Sequence, residues 1–232
     1  MMETLIDFDR WLLLAVNGSS SLYFDGVVKV LTTATTWIPL YLALFYLVMK
    51  NNDSVRKIFF IVGCAGLCYL FAGAIDDGIV KPLVARWRPT HDEVIGWQVD
   101  VVDGYRGGKY GFFSAHACNT FSIAVFFSLL VRSRLLTVGL VLWSLVNCWT
   151  RLYLGVHFPG DILVGLLWGG IVGTAVYLFY QWADRHYSKR VKFVSSQYTN
   201  TGYLYSDIDV VILVLVSLLL YALFRACFMV SA

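Results

Sequence analysis

The chain has 232 residues, of which 59% are hydrophobic and only 14% charged, with a net charge of +3. A soluble domain carries about 25% charged residues, so a mean hydropathy of +0.69 excludes an ordinary water-soluble fold and describes an integral membrane protein. The charge is too small and too dispersed for a nucleic-acid partner, and five cysteines scattered through apolar runs (Cys64, Cys68, Cys118, Cys148, Cys227) give neither a disulfide framework nor metal-ligand spacing.

In chain order, residues 4–17 are too short to span a bilayer and lack the cationic start of a signal peptide. Leu5, Phe8, Leu12 and Ala15 recur at helical spacing opposite Asp7 and Arg10. This predicts an amphipathic helix in the membrane interface, ended by Asn17-Gly18. A hydrocarbon core of about 30 Å needs about 20 helical residues. The expected spans are 24–49, kinked at Pro39, then 58–80, 114–131, 135–150, 159–180 and 207–230. Pro159 suits the first turn of the fifth. A polar loop, 91–112, separates the second and third spans, and a hydrophilic connection, 181–206, separates the fifth and sixth. Val99 and Val101 alternate with polar residues before Asp103-Gly104, which predicts a short hairpin within 96–112. The fold class is an all-α membrane bundle of about six transmembrane helices with an N-terminal interfacial helix, one domain over residues 1–232.

Three polar blocks interrupt this apolar chain: Lys81 to Arg88-Pro89, Phe113-Ser114-Ala115-His116, and Thr150-Arg151 through His157 to Asp161. Ionisable residues inside a membrane protein are a functional-site hypothesis by default. The first block follows the second span, the second opens the third, and the third bridges the fourth and fifth, so all emerge on one membrane face. The opposite face receives Lys50, Arg56, Lys57, Arg132, Arg134, Arg185, Lys189, Arg190 and Lys192, whereas most charges on the site face are acidic. The positive-inside rule therefore turns the site away from the cytoplasm.

Lys81, Arg88 and Arg151 each read singly as interfacial residues snorkelling to headgroups. Together they form a cation cluster without matching carboxylates, and guanidinium forks suit phosphate oxygens. Ser114 opens a helix whose free N–H groups favour a phosphate, and it can cap that turn while donating its hydroxyl to the anion. His116, in the first turn, points into the site. Asn119 and Thr120 share its face, either to orient it or simply to hydrogen-bond between helices. His157 lies in a tight loop before Pro159, and Asp161 follows in the first helical turn. A carboxylate there accepts a hydrogen bond from one imidazole nitrogen and leaves the other free to attack. Surrounding cations keep His157 neutral, and a bound phosphate dianion favours a protonated His116, a donor to the leaving oxygen. No divalent-metal set is evident in the sequence, and no cofactor is called for where cations already neutralise phosphoryl oxygens. Two histidines, one backed by a carboxylate, favour an enzyme over an anion-binding transporter or scaffold, which would need the cations alone.

These blocks resemble the signature of the type 2 phosphatidic acid phosphatase superfamily, which also includes vanadium-dependent haloperoxidases. Lys81 to Arg88-Pro89 matches its first block in full, and Arg151, His157 and Asp161 match the third in spacing and identity. The departures are Phe113 for proline, Ala115 for glycine and Thr150 for serine. The resemblance implies that Lys81, Arg88, Ser114 and Arg151 bind phosphate and that His157 forms a phosphohistidine oriented by Asp161. It also implies that His116 protonates the leaving group and then activates water.

A site at the membrane interface of a chain with little soluble mass implies an amphiphilic phosphate as partner. The bacterial members that the chain resembles dephosphorylate undecaprenyl pyrophosphate, phosphatidylglycerophosphate or the phosphates of lipid A. The short form with an interfacial helix most resembles the polyprenyl-pyrophosphate group, so undecaprenyl pyrophosphate is the expected substrate and the other two are alternatives. Arg86, Arg106 and Lys109 are candidates for a second phosphate or charged headgroup, or are ordinary loop charges. Trp87 and Trp97 read as interface anchors. The expected setting is the bacterial cytoplasmic membrane, with the site facing the periplasm or outside.

Overall fold

The structure, a computed structural model, describes residues 2–187 and 196–229. Among these every regular element is helical, and the β-bridges Trp87–Tyr110 and Tyr198–Leu204 are isolated. Lys189, Arg190 and Lys192, counted above on the face opposite the site, lie outside the described residues.

The first expected span is two helices, α2 (Leu22–Thr32) and α3 (Ile38–Lys50), bent by 64° about a 3-10 turn at Ala34–Trp37. The bend precedes Pro39 rather than falling on it. Pro39 occupies the first turn of α3, where a missing N–H is no loss. The break is made by Thr33, which leaves α2 in an extended conformation. Thr36 Oγ1 and Trp37 Nε1 then donate back to the Val30 and Leu31 carbonyls at 2.7 and 2.8 Å.

The second span is longer than expected. Helix α4 (Val55–Tyr69), two π-helical stretches (Leu70–Ala74 and Asp76–Val80) and α5 (Lys81–Val84) run as one span from Val55 to Val84. Helix α6 (Ala115–Val131) starts where expected, its first turn capped by Ser114. Helices α7 (Arg134–Tyr153), α8 (Pro159–Tyr187) and α9 (Tyr205–Met229) complete the bundle. Among the described residues four helices are long and apolar enough to cross a membrane, the bent α2–α3 pair makes a fifth, and α6 is a shorter apolar helix of 17 residues. The protein is an all-α, multi-pass membrane protein.

Helix α6 lies at the centre, against α7 and α8. Glycines recur every four residues along α8 at Gly165, Gly169 and Gly173, and a Cβ at Gly169 would stand 2.6 Å from the Cys118 carbonyl oxygen. Bare backbone on this ridge lets the two helices approach closely and brings their N-terminal ends, which carry Ser114 and Asp161, side by side.

One feature differs from expectation. No hairpin forms in 96–112; the segment makes a 3-10 turn at Val102–Gly104. Its backbone is claimed elsewhere, with the Asp100 N–H donating to Asn17 Oδ1 at 2.7 Å. Val99 and Val102 are buried in separate apolar clusters. Helix α1 (Met2–Val16) is amphipathic with Leu5, Phe8 and Trp11 exposed. Part of its polar side faces the protein: Arg10 pairs with Asp92 at 3.0 Å and Asp9 with Arg86 at 2.6 Å, while the Asp7 side chain is 73% exposed.

Candidate active site

Helix α7 ends just after Arg151, and Gly155, at φ +63, reverses the chain in a conformation that a side chain would strain. That turn presents His157, only 2% exposed, and Pro159 then starts α8. Asp161 is fully buried one turn on, and its carbonyl oxygen accepts the Ser114 N–H at 3.2 Å. The second and third blocks are thus joined through backbone. The first block is brought in by the loop 107–111: Arg88 N–H donates to the Lys109 carbonyl at 3.3 Å, and Gly111 N–H to that of Arg86 at 2.9 Å. Arg88 Nη1 reaches the Val156 carbonyl at 3.1 Å and stands 3.3 Å from His157 Nε2.

Charge pairing divides the cations into two kinds. Lys81 is paired with Asp76 at 2.8 Å and with Asp77. Arg86 is paired with Asp161 at 2.7 Å and with Asp9. Among the described residues Arg88 and Arg151 make no ion pair within 4 Å. Arg151 is 3% exposed; its Nη1 donates to Thr32 Oγ1 at 2.7 Å and its Nη2 to Tyr105 Oη at 3.3 Å. Its Nε is buried without a partner. The pKa of Arg88 is lowered first by burial and then by the neighbouring Arg151 charge. Two desolvated guanidiniums pressed together, with donors to spare, constitute an anion site.

The histidines flank it. Burial first, then the charges of Arg88, Arg151 and Lys81, push the His157 imidazole well below the usual histidine pKa, so it is neutral. Arg151, His157 and Lys81 also surround His116, whose ring approaches the Thr32 carbonyl. The Thr120 hydroxyl holds the His116 carbonyl at 2.8 Å and bonds Ser144 at 2.8 Å.

Most expected residues converge, with corrections. The cations are not free of carboxylates, because Asp76 and Asp77 hold Lys81. That pairing was visible as two acids four and five residues before Lys81, inside an apolar span. The π-helical hydrogen bond from Lys81 N–H to the Asp76 carbonyl stacks the pair. Arg86 is not available for a second phosphate, since both arms of its fork are on carboxylates and its plane lies over Phe158, 4.2 Å from the ring centroid. Asn119 does not orient His116; it packs on the π-helical stretch, where a Cβ on Gly73 would meet its Oδ1 at 2.6 Å. Arg106 and Lys109 stay exposed on the loop, the first donating to the Thr90 carbonyl at 3.1 Å and the second over the Trp87 ring at 5.0 Å. His157 Nδ1 lies 3.7 Å from Asp161 Oδ2, an ion-pair distance rather than a hydrogen bond, and Oδ2 accepts the Phe158 N–H at 2.9 Å. Ser114 Oγ caps α6 by accepting from Ala117 N–H at 3.4 Å. Thr32, Tyr105 and Asp9 carry no sequence signal of their own.

A buried guanidinium pair beside a histidine backed by a carboxylate, at one end of a membrane bundle, is chemistry suited to phosphoryl transfer. The chain belongs to the PAP2 superfamily, whose family model matches residues 61–185 and so takes in all three blocks. It is a membrane lipid phosphatase of that type. It is 40% identical over 181 residues to a lipid A 4'-phosphatase of Bacteroides thetaiotaomicron, covering 78% of this chain and 79% of that protein. To a lipid A 4'-phosphatase of Porphyromonas gingivalis it is 37% identical over 185 residues, covering 78% and 77%. Its fold is similar to the crystal structure of a transmembrane PAP2 type phosphatidylglycerolphosphate phosphatase from Bacillus subtilis. The TM-score is 0.58 at 15% identity, over 81% of this chain and 90% of that one.

Proposed function

We propose that the chain hydrolyses a phosphate monoester of lipid A through a phosphohistidine on His157. The observation that carries the substrate is its similarity, over 78% of the chain, to two lipid A 4'-phosphatases. In this reading Lys81, Arg88, Ser114 and Arg151 hold the non-bridging phosphoryl oxygens. His157 Nε2 attacks phosphorus as the bond to the sugar oxygen breaks, and His116 protonates that oxygen. Asp161 stabilises the imidazolium that forms at Nδ1. Water then attacks phosphorus, giving its proton to His116, and phosphate leaves with His157 restored.

The site faces away from the cytoplasm in this reading, supported by Lys50, Arg56, Lys57, Arg132, Arg134 and Arg185 at the other helix ends. Undecaprenyl pyrophosphate, the substrate expected from sequence, is kept as the second reading. It is favoured by 36% identity over 98 residues to a decaprenylphosphoryl-5-phosphoribose phosphatase of Mycobacterium tuberculosis, of which the chain spans half.

The deciding experiment is phosphate release by purified protein from bisphosphorylated lipid A, undecaprenyl pyrophosphate, undecaprenyl phosphate, phosphatidylglycerophosphate and phosphatidic acid. The expected result is the highest kcat/KM on lipid A, with loss of a single phosphate in the product mass. Faster turnover of undecaprenyl pyrophosphate would replace the first reading by the second.

A further inference from the structure

We infer that Arg86 and Asp9 form a positioning relay through which the interfacial helix α1 fixes the Asp161 carboxylate behind the reacting histidine. This rests on the reading of His157 and Asp161 given above.

Asp161 is fully buried, and a carboxylate there is tolerated only with a compensating charge and satisfied oxygens. Both are supplied. Oδ1 accepts from Arg86 Nη1 at 2.7 Å and Oδ2 from the Phe158 N–H at 2.9 Å. Rotating the carboxylate breaks one of these bonds, so together they aim Oδ2 at His157 Nδ1.

Arg86 is itself clamped. Its Nη2 donates to Asp9 Oδ2 at 2.6 Å, and its guanidinium lies over Phe158, the residue after His157. A planar fork bridges two carboxylates in a fixed geometry that an ammonium cannot reproduce.

Asp9 reaches Asp161 by a second route, accepting the Gly160 N–H at 2.7 Å with Oδ1. That amide is one of the free donors of the first turn of α8. A Cβ on Gly160 would stand 3.0 Å from Asp9 Oδ2. On the same helix Arg10 pairs with Asp92, and Leu13 is buried with Ile95, Val99 and Phe158. Leu5, Phe8 and Trp11 face outward as a lipid-docking surface. One helix therefore holds both the bilayer and the groups that fix the carboxylate behind His157.

The test uses Asp9→Asn, Arg86→Lys and the double variant, full length in lipid nanodiscs, with phosphate release measured from lipid A and, in parallel, from phosphatidic acid. Displacement of a catalytic group by about 1 Å costs on the order of 100-fold. The expected result is a fall in kcat of about that size with KM unchanged, because no phosphate holder is altered. The double variant should be no worse than the poorer single one, and Asp9→Glu should keep more of kcat than Asp9→Asn. Wild-type kcat in both single variants, a loss confined to KM, or additive losses would overturn the relay. So would loss of a cooperative unfolding transition in both, which would make the contact merely structural. His157→Ala is run alongside. If it turns over like wild type, the histidine reading itself has failed; if it is dead while the relay variants are normal, only the relay has.

Discussion

Arg88 Nη1 stands 3.3 Å from His157 Nε2, and because a guanidinium can only donate, Nε2 is the bare nitrogen of the ring. The proton of the neutral imidazole is then at Nδ1, on the Asp161 side. The cation assigned to phosphate thus already aims the lone pair assigned to attack. In the proposed mechanism a phosphoryl oxygen entering the site would take the place of Nε2 as the acceptor of Arg88. Binding of the anion and release of the nucleophile would then be one event.

This geometry fixes a pH dependence. Burial and three cations hold the folded-state pKa of His157 well below its ordinary value, so between the folded and unfolded values the unfolded chain binds more protons. The His157 contribution to stability is complete above about pH 6.5 and is lost as pH falls below it. Between pH 7 and 5 the Tm of the wild type in detergent is expected to fall more steeply than that of His157→Gln. In 15N-histidine spectra His157 is expected to stay neutral across the same range. Parallel Tm curves, or a His157 signal titrating near pH 6.5, would contradict the assignment.

Arg151 is the residue whose charge alone is insufficient. Two of its nitrogens are engaged by Thr32 and Tyr105, and Nε is a buried donor without a partner. Arg151→Lys keeps a cation but cannot hold both neighbours and still offer a donor to phosphate. The expected loss in kcat/KM is on the order of 100- to 1,000-fold, the size associated with deleting one transition-state donor, with little change in Tm. Near-normal kcat/KM in that variant would mean that only net charge matters at this position.

In the proposed mechanism the guanidiniums neutralise the phosphoryl oxygens, the part a metal plays elsewhere. Among the described residues no group of three or more histidine, cysteine or acidic side chains is placed to hold a metal ion. Phosphate release is therefore expected to continue at full rate in excess chelator. Loss of activity that added Mg²⁺ or Zn²⁺ restores would show that the neutralising charge is not the protein's own.

The parts of the site legible in the sequence are those carried by short spacing. His157 and Asp161 are four residues apart across a proline-started turn, and Ser114 and His116 open a helix, so local geometry alone decides where they point. Arg86 was legible as a charge but not as a partner of Asp161, because its role depends on residues 75 positions ahead and 77 behind. The bend at Thr33 escaped for a similar reason: Pro39 is the stronger local signal, and the extended Thr33 that ends α2 is followed by two side chains folding back onto carbonyls. The all-α membrane fold survived these errors, although only four helices and the bent pair reach crossing length and α6 is a shorter apolar helix.

Phe113 occupies the position where the family pattern has proline, and this departure leads to the last prediction. Proline has no N–H; Phe113 has one, and it donates to Asp76 Oδ1 at 3.1 Å. Asp76 is fully buried, and its other oxygen is 2.8 Å from Lys81 Nζ. One carboxylate therefore ties Lys81, proposed above to bind phosphate, to the start of the helix that carries His116. Asp76→Asn keeps the shape and an acceptor for Phe113 but removes the charge opposite Lys81. Breaking a buried pair by removing one partner costs about 3–5 kcal/mol, and the lower end is expected because Asp77 remains for Lys81. The Lys81 ammonium should then move toward Asp77 and away from the anion site, raising KM more than it lowers kcat. The control is Asp77→Asn, whose side chain is 65% exposed and whose loss should change stability by no more than about 0.5 kcal/mol. Unfolding in detergent and substrate titrations on both variants separate the cases. If Asp77→Asn proves as damaging as Asp76→Asn, Lys81 is held from the exposed side and the buried carboxylate is not its anchor.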